Sequence, residues 1–361
     1  MTEDANPRPR RQEQEPATED VDEVAPGVVR TQLPINLPGL GHVNCYVIED
    51  ERGIAVVDPG LPGEDSWKDL NHRLKLAGYK AADIHTAVIT HSHFDHFGGA
   101  ARIQAETGAE VLTHESFSVT WGGEEVDLEN EDSSAWRELT EEEQDAEMER
   151  IFSERLPWGT QRTRPAPEHL ERMKKMGRFR NPRERTPRPT MRVEDAQVVE
   201  LGRREWVALH TPGHTHDHLC LYDPEHGVMF SGDHVLPSIT PHIGAFTPDI
   251  DPLKEFFDSL EKMHAYGDVT TVLPAHGHPF TDLSGRATEI IEHHEHRLDI
   301  IRDATHKLED GTVTEYMRVL FSERAWGDMA ESETFAHLEH LRVLGELAST
   351  APAGVTRYHA V

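Results

Sequence analysis

The 361-residue sequence predicts an α/β protein on three observations. Short apolar runs rich in β-branched residues recur between Asn44 and Gly277, segments of helical periodicity separate them, and glycine or Pro-Gly punctuates the joints. The first strand-like runs are NCYVIED, Asn44 to Asp50, and GIAVVDPG, Gly53 to Gly60, the second stopped by its own Pro-Gly. From Glu64 to Ala77, the residues Trp67, Leu70, Leu74 and Ala77 recur three or four apart before Gly78, which predicts a helix with its stop signal. TAVIT, Thr86 to Thr90, is the next buried strand, followed by a helix over Gly98 to Thr107 and a strand over Glu110 to Thr113.

The alternation breaks at about Ser116 and resumes at Val198, so 116–197 is expected to be an insertion. Its charge is segregated: 14 acids against two arginines between Glu124 and Glu154, then 11 basic residues against three acids between Arg162 and Arg192. Short helices are expected around Ala146 to Phe152 and His169 to Met176. A solvated excursion whose halves neutralise each other is the ordinary expectation for such runs. The sharper alternative is a basic lid over a site, with Arg178, Arg180 and Arg183 meeting an anionic substrate.

After Val198 the strands VVEL, EWVALHT, HLCLYD and GVMFSGD return, then a helix over Pro252 to Tyr266 and the strand VTTVLPAHG. From Arg286 two helical stripes remain, Ile290 to Leu308 and Phe335 to Leu344, with strand character only at Thr312 and Val313. The expected organisation is a disordered tail at 1–26, a catalytic domain at 27–284, a small helical domain at 285–350 and a tail at 351–361. The first 26 residues carry eight acids, three arginines and four prolines, too little apolar surface to offset their ordering entropy.

The formal charge is −30. A generally basic nucleic-acid coat and a polybasic membrane-surface protein are thereby excluded as whole-molecule descriptions. Two cysteines, Cys45 and Cys220, make no disulfide framework and suit a reducing compartment. No apolar run approaches a membrane span, and the N-terminus lacks the apolar core of a signal peptide, so a cytoplasmic protein is expected.

Twenty-five histidines stand out, because imidazole is the commonest metal ligand. His91-Ser92-His93-Phe94-Asp95-His96 follows the strand TAVIT and precedes a helix, offering four metal-binding groups at a rigid joint. Two alternating histidines leaving a strand can face one ion, while Asp95 and His96 on the first helical turn point toward a neighbouring position. His214 in TPGHT, Asp233 in FSGD and His276 in LPAHG stand at corresponding strand ends. In GHTHDHL the three alternating histidines cannot all meet the same ions, so His218 is expected to support the ligands and His216 to be exposed. His234 and His242, which follow Asp233, are expected to line the pocket. His293, His294, His296, His337 and His340, on the C-terminal helices, are expected to be packing or surface residues.

Asp58 in VVDPG, the H-x-H-x-D-H run, His214, Asp233 and His276 occur in the order in which the metallo-β-lactamase-fold superfamily carries its motifs, and the stretch from Val28 to Thr281 resembles that superfamily. The resemblance implies an αββα sandwich. It further implies that His91, His93 and His214 hold one metal, that Asp95, His96 and His276 hold a second, and that Asp233 bridges them. Asp58 would orient the ligand loop. Oxygen and imidazole donors suit two divalent ions, zinc first, with iron or manganese as alternatives. A hydroxide between the metals would be the nucleophile, with Asp95 orienting it or relaying its proton.

The C-terminal pattern is similar to the winged-helix-like tail of a branch containing lactamase-beta-like endoribonucleases, glyoxalase II-like enzymes and acyl-carrier-protein thioesterases. Hydrolysis of a thioester or ester on a small-molecule or carrier-bound anion therefore competes with cleavage of RNA. A thiol with a pKa near ~8.5 leaves without a general acid, and none is evident in these motifs. A winged helix that docks on nucleic acid should be basic, whereas Arg286 to Leu347 carries 14 acids against seven basic residues. Thioester hydrolysis ranks first. Lactone or β-lactam hydrolysis on the same site, a single-iron persulfide dioxygenase and a non-enzymatic interaction module are the remaining alternatives.

Overall fold

Two β-sheets packed face to face, with helices on both outer surfaces, carry the chain in the computed structural model, which describes residues 11–121, 124–125, 139–175, 186–244 and 250–361. The first sheet is built from β1 (Asp22–Ala25), β2 (Val28–Leu37), β3 (Leu40–Asp50), β4 (Gly53–Val57), β5 (Ile84–Val88), β6 (Glu110–His114) and β9 (Met191–Val193), adjacent in that order. β1 to β4 are antiparallel, and β4, β5, β6 and β9 run parallel. Helices α1 (Glu64–Leu76), α2 (Phe94–Phe97) and α3 (Ala100–Thr107) supply the connections. The short pair β7 (Thr120–Trp121) and β8 (Glu124–Glu125) stands apart. Parallel strands need crossovers, and the helix predicted between Glu64 and Ala77 is one of them.

The second sheet has the order β10 (Val198–Leu201), β11 (Arg204–His210), β12 (Leu219–Asp223), β13 (Val228–Gly232) and β14 (Thr271–Pro274). Only β13 and β14 are parallel neighbours. Helix α6 (Pro252–Met263) makes that crossover, capped at its start by the Asp251 carboxylate on Lys254 N. Between the sheets Tyr46, Ile48, Val57, Val88, Trp206, Leu221 and Phe230 form one buried layer. The first sheet packs its outer face on Leu70, Leu74, Phe97 and Ile103 of the helices, and the second packs on Phe256 and Leu260 of α6. This is the expected αββα sandwich.

Three expectations about organisation are corrected. Residues 11–26 are not a disordered tail: Asp22–Ala25 pairs with β2, and the Glu13 side chain is fully buried. The final residues are not a tail either. Helices α7 (Leu283–Leu308), α8 (Val313–Leu320) and α9 (Asp328–Val343) pack against a three-stranded sheet of β15 (Gly311–Thr312), β16 (Leu347–Thr350) and β17 (Arg357–Ala360). β17 is its central strand, and Tyr358 within it is fully buried. Nor is this unit a separate module. Leu298, Ile301, Tyr316 and Leu338 share one continuous core with Leu209, Met229 and Phe256 of the sandwich.

The insertion contains both expected helices, α4 (Glu141–Ser153) and α5 (Pro167–Lys175). Their charges meet in part, since Arg164 pairs with Glu149 at 2.7 Å and Lys174 with Asp145 at 2.6 Å, exposed pairs that contribute little to stability. Met191–Val193 does not belong to an excursion, because it forms the edge strand beside β6. Buried Trp158 anchors the segment on the C-terminal unit: its indole N–H donates to Glu331 at 2.7 Å, and its carbonyl accepts from Thr356 N at 3.0 Å. Arg178, Arg180 and Arg183 lie outside the described residues. No helix among the described residues is long and apolar enough to cross a membrane.

Candidate metal centre

β4 and β5 run parallel in the first sheet, and β11, β13 and β14 share one direction in the second, so five strands deliver their C-terminal ends to one edge of the sandwich. The turns after those ends carry Asp58, His91, His214, Asp233 and His276. Strand ends are rigid, and loops that leave them are free to vary, which makes this edge the place where polar groups can be buried together.

Seven residues converge there in two groups. His91, His93, His214 and Asp233 form one, and Asp95, His96 and His276 the other, each with its ligand atoms within 4.8 Å of one another. His93 Nδ1 stands 3.0 Å from His91 Nε2 and 3.1 Å from His214 Nε2. Donors at the ~2.1 Å of a zinc–nitrogen bond in tetrahedral array stand about 3.4 Å apart, so this spacing fits one ion. Asp233 lies against both groups, with Oδ2 3.5 Å from His214 Nε2 and 3.8 Å from His96 Nε2, and Oδ1 3.3 Å from His276 Nε2. Asp95 Oδ2 is 3.7 Å from His96 Nε2 and 3.8 Å from His276 Nε2. The Nε2 atoms of His96 and His276 are buried without a hydrogen-bond partner, which a divalent cation would satisfy.

Four of the five imidazoles are aimed by their other nitrogen, while His93 faces its group through Nδ1. His91 Nδ1 meets Thr90 Oγ1 at 3.0 Å, His96 Nδ1 meets Asp58 Oδ2 at 2.9 Å, and the Nδ1 atoms of His214 and His276 donate to the carbonyls of His242 and His42 at 2.7 and 2.6 Å. Such bonds fix the tautomer and leave the Nε2 lone pair facing inward. Asp58 also accepts from Thr90 N at 2.9 Å and from Thr90 Oγ1 at 2.8 Å, which holds its backbone in the left-handed region at φ 53°.

Electrostatics divide the two groups. Burial, reinforced by neighbouring imidazoles, holds His91 and His93 well below the usual histidine range, and burial lowers His214, so all three stay neutral donors. Burial also opposes charge on His96, yet Asp95, Asp233 and Asp58 raise it to about 10. Asp233 raises His276 against the same burial. Asp233 itself, despite its burial, is held well below the carboxylate range by His276 and His96. The acidic half therefore attracts positive charge, and a divalent cation entering it would displace protons.

All seven expected ligands and Asp58 are brought together. His218 is buried behind them, with Nδ1 on Thr211 Oγ1 at 2.8 Å and Nε2 accepting from Asp233 N at 3.0 Å. His216 is half-buried rather than exposed, its carbonyl 2.7 Å from His210 Nε2. His234 does not line a pocket: it is fully buried between the His218 and Phe256 rings, and burial pushes it down to about 3. His242 reaches the site through its carbonyl on His214, while its ring lies 3.5 Å from Glu333 of α9. His294, His337 and His340 are buried packing residues.

Sequence reasoning missed a clamp on the His276 loop. Asn44 Nδ2 donates to the carbonyls of Pro274 and Gly277, Tyr46 OH donates to Pro274, and His42 Nε2 accepts from Gly277 N at 3.1 Å. Alternating polar residues at 42, 44 and 46 on an otherwise apolar strand were the available signal. Asp217 was also missed. It accepts from Ser92 Oγ at 2.9 Å, joining the two histidine-bearing loops, and burial pushes it up to about 6.

Against known families, the model of the metallo-beta-lactamase superfamily matches residues 38–276. Among curated proteins, the chain is 34% identical over 108 residues to an atrochrysone carboxyl ACP thioesterase of Aspergillus novofumigatus, a match covering 30% of each chain. The chain thus spans less than a third of that relative's length. A hydroxyacylglutathione hydrolase of Maricaulis maris is 26% identical over 259 residues, covering 70% of this chain and 72% of that one. Among solved structures, a metallo-beta-lactamase family protein from Thermus thermophilus superposes with a TM-score of 0.71 at 28% identity, covering 94% of this chain and all of the other.

Proposed function

The chain belongs to the metallo-beta-lactamase superfamily, and from that premise we propose that it is a hydrolase that cleaves a thioester or ester of an anionic carrier at a two-metal centre. The observation that carries this is the convergence of seven donors in two groups with Asp233 against both, every aimed imidazole turning Nε2 inward. In this proposal His91, His93 and His214 would hold one ion and Asp95, His96 and His276 the other, with Asp233 placed against both groups. Zinc suits these donors, and iron or manganese would be accepted by the same set. Bound there, the ions supply Lewis-acid polarisation of the attacked carbonyl and acidify the attacking water.

The chain's own residues do the rest. Asp95, at the edge of the second group, takes the proton of the attacking water and passes it toward the departing sulfur. A thiolate leaving group with a pKa near ~8.5 needs little further help. His42, Asp58, Thr90, His218 and the His242 carbonyl keep the donors in place. Relatives named as an ACP thioesterase and as a hydroxyacylglutathione hydrolase support an acyl group on an anionic carrier as substrate. RNA is disfavoured by the charge of −30, against which only the stretch from Arg162 to Arg192 is strongly basic.

The test is a hydrolysis screen of metal-reconstituted protein on acyl-CoA, acylglutathione, lactone, β-lactam and RNA substrates, with metal content measured in parallel. Thioester turnover with about two zinc ions per chain is expected. Turnover of RNA alone would replace the substrate assignment, and a single iron with oxygen consumption would overturn the hydrolytic mechanism.

A further inference from the structure

The N-terminal segment crosses the site edge and touches a loop behind each donor group. Glu13 is fully buried, and its carboxylate accepts from Ser238 N at 2.8 Å, from Ile239 N at 3.1 Å and from Ser238 Oγ. The loop so held runs on to His242, whose carbonyl aims His214. Gln12 Oε1 accepts from His278 N at 3.1 Å, and the Glu15 carbonyl accepts from His42 Nδ1 at 2.8 Å. His42 in turn aims His276 through its carbonyl and holds Gly277 N through Nε2.

A buried carboxylate is costly unless donors satisfy it. Attachment alone could be achieved by any apolar side chain, whereas a carboxylate bonded to two consecutive backbone amides fixes the conformation of the loop that carries them. We propose that residues 11–15 are a strap that sets His214 through the 235–244 loop and His276 through its own loop, with Glu13 as its positioning residue, so that metal affinity depends on a segment outside both ligand loops. The inference rests on the two-metal reading.

The experiment compares full-length Glu13→Ala, Glu13→Gln and Glu19→Ala. Glu19 lies on the same segment but binds Arg73 and His72, away from the site. Zinc affinity is read by competition with a chromophoric chelator, the Tm of the metal-free protein by calorimetry, and amide exchange of 235–244 and 274–280 by mass spectrometry. Glu13→Ala is expected to weaken zinc binding by ~10-fold, the scale of lost support for a ligand. It should also speed exchange in both loops. Glu13→Gln keeps an oxygen for the two amides and an N–H for Ser238, and should stay within about threefold of the parent. Glu19→Ala should leave zinc affinity unchanged. Wild-type affinity in Glu13→Ala, or equal losses in Glu13→Ala and Glu19→Ala that follow Tm, would overturn the strap. If the parent binds no zinc, the two-metal reading fails, and the exchange comparison on metal-free protein decides the strap by itself.

Discussion

His218 accepts the backbone N–H of Asp233 at 3.0 Å, so the residue that stands against both donor groups is oriented from behind by an imidazole outside both groups. The contact requires Gly232. Its φ is 50°, and a Cβ there would lie 2.6 Å from His218 Nε2. Replacing His218 by Phe keeps the volume but leaves Asp233 N without its acceptor. Zinc affinity measured by calorimetric titration is expected to fall roughly 10- to 100-fold. Unchanged affinity would mean that Asp233 is held by its own ligand contacts alone.

Asp233→Ala removes the carboxylate between the groups. Hydrolysis should drop by roughly a thousandfold or more, and zinc content should fall below that of the parent. The C-terminal unit should remain folded, because Tyr316, Leu338 and Tyr358 are packed in a core that Asp233 does not enter. Metal analysis, a substrate assay and near-ultraviolet circular dichroism check the three parts. Full activity would remove the two-metal model.

Trp158 ties the insertion to the C-terminal unit through Glu331 and Thr356. Truncation to Ala leaves a cavity against Phe335 and takes one donor from a buried carboxylate, a loss of ~3–5 kcal/mol. Trp158→Phe fills most of the cavity and should cost about 1–2 kcal/mol. Denaturant melts provide the comparison. Trp158→Ala should also bring early proteolytic cleavage between 141 and 175, and a parent-like digest would show that the helices there are anchored elsewhere.

The alternation of apolar strands with helical stripes was enough to read the sandwich, because burial on two faces enforces those periods. The donor groups were legible for a related reason: His91 to His96 concentrates four metal-binding side chains just after an apolar strand, and His214, Asp233 and His276 follow the ends of three others. Contacts between distant segments were not. Nothing local in residues 11–26 announces that Glu13 is buried against Ser238, 225 positions away, and its acidic, proline-rich composition argues for disorder. Arg357 to Ala360 becomes a strand only because β15 and β16 offer edges on either side. His234 shows the opposite error. Chain proximity to Asp233 suggested the pocket, but the tight turn at Gly232 sends successive side chains to opposite sides, and its ring went into the core.

Acid should destabilise the metal-free protein through the buried pair His294 and His337, which joins α7 to α9 with Nδ1 and Nε2 3.0 Å apart. Burial holds His294 well below its ordinary range and pushes His337 down to about 4, with Arg297 reinforcing that shift while Glu333 opposes it. Both are near ~6.5 when unfolded. Between those limits the unfolded chain binds more protons than the folded one, so stability rises with pH there. It is complete above the unfolded value and is lost as pH falls from about 6.5 toward 4. At pH 5.5 one such group costs about 1.4 kcal/mol. His234, near 3, and His114 and His293, each near 4, act with the same sign, so the informative quantity is a difference in slope. Denaturant melts of chelator-treated parent and His337→Gln at pH 7.5 and 5.5 should show a smaller acid loss in the variant, by about 1 kcal/mol or more. Equal losses would mean that the pair accepts a proton without opening the interface between α7 and α9.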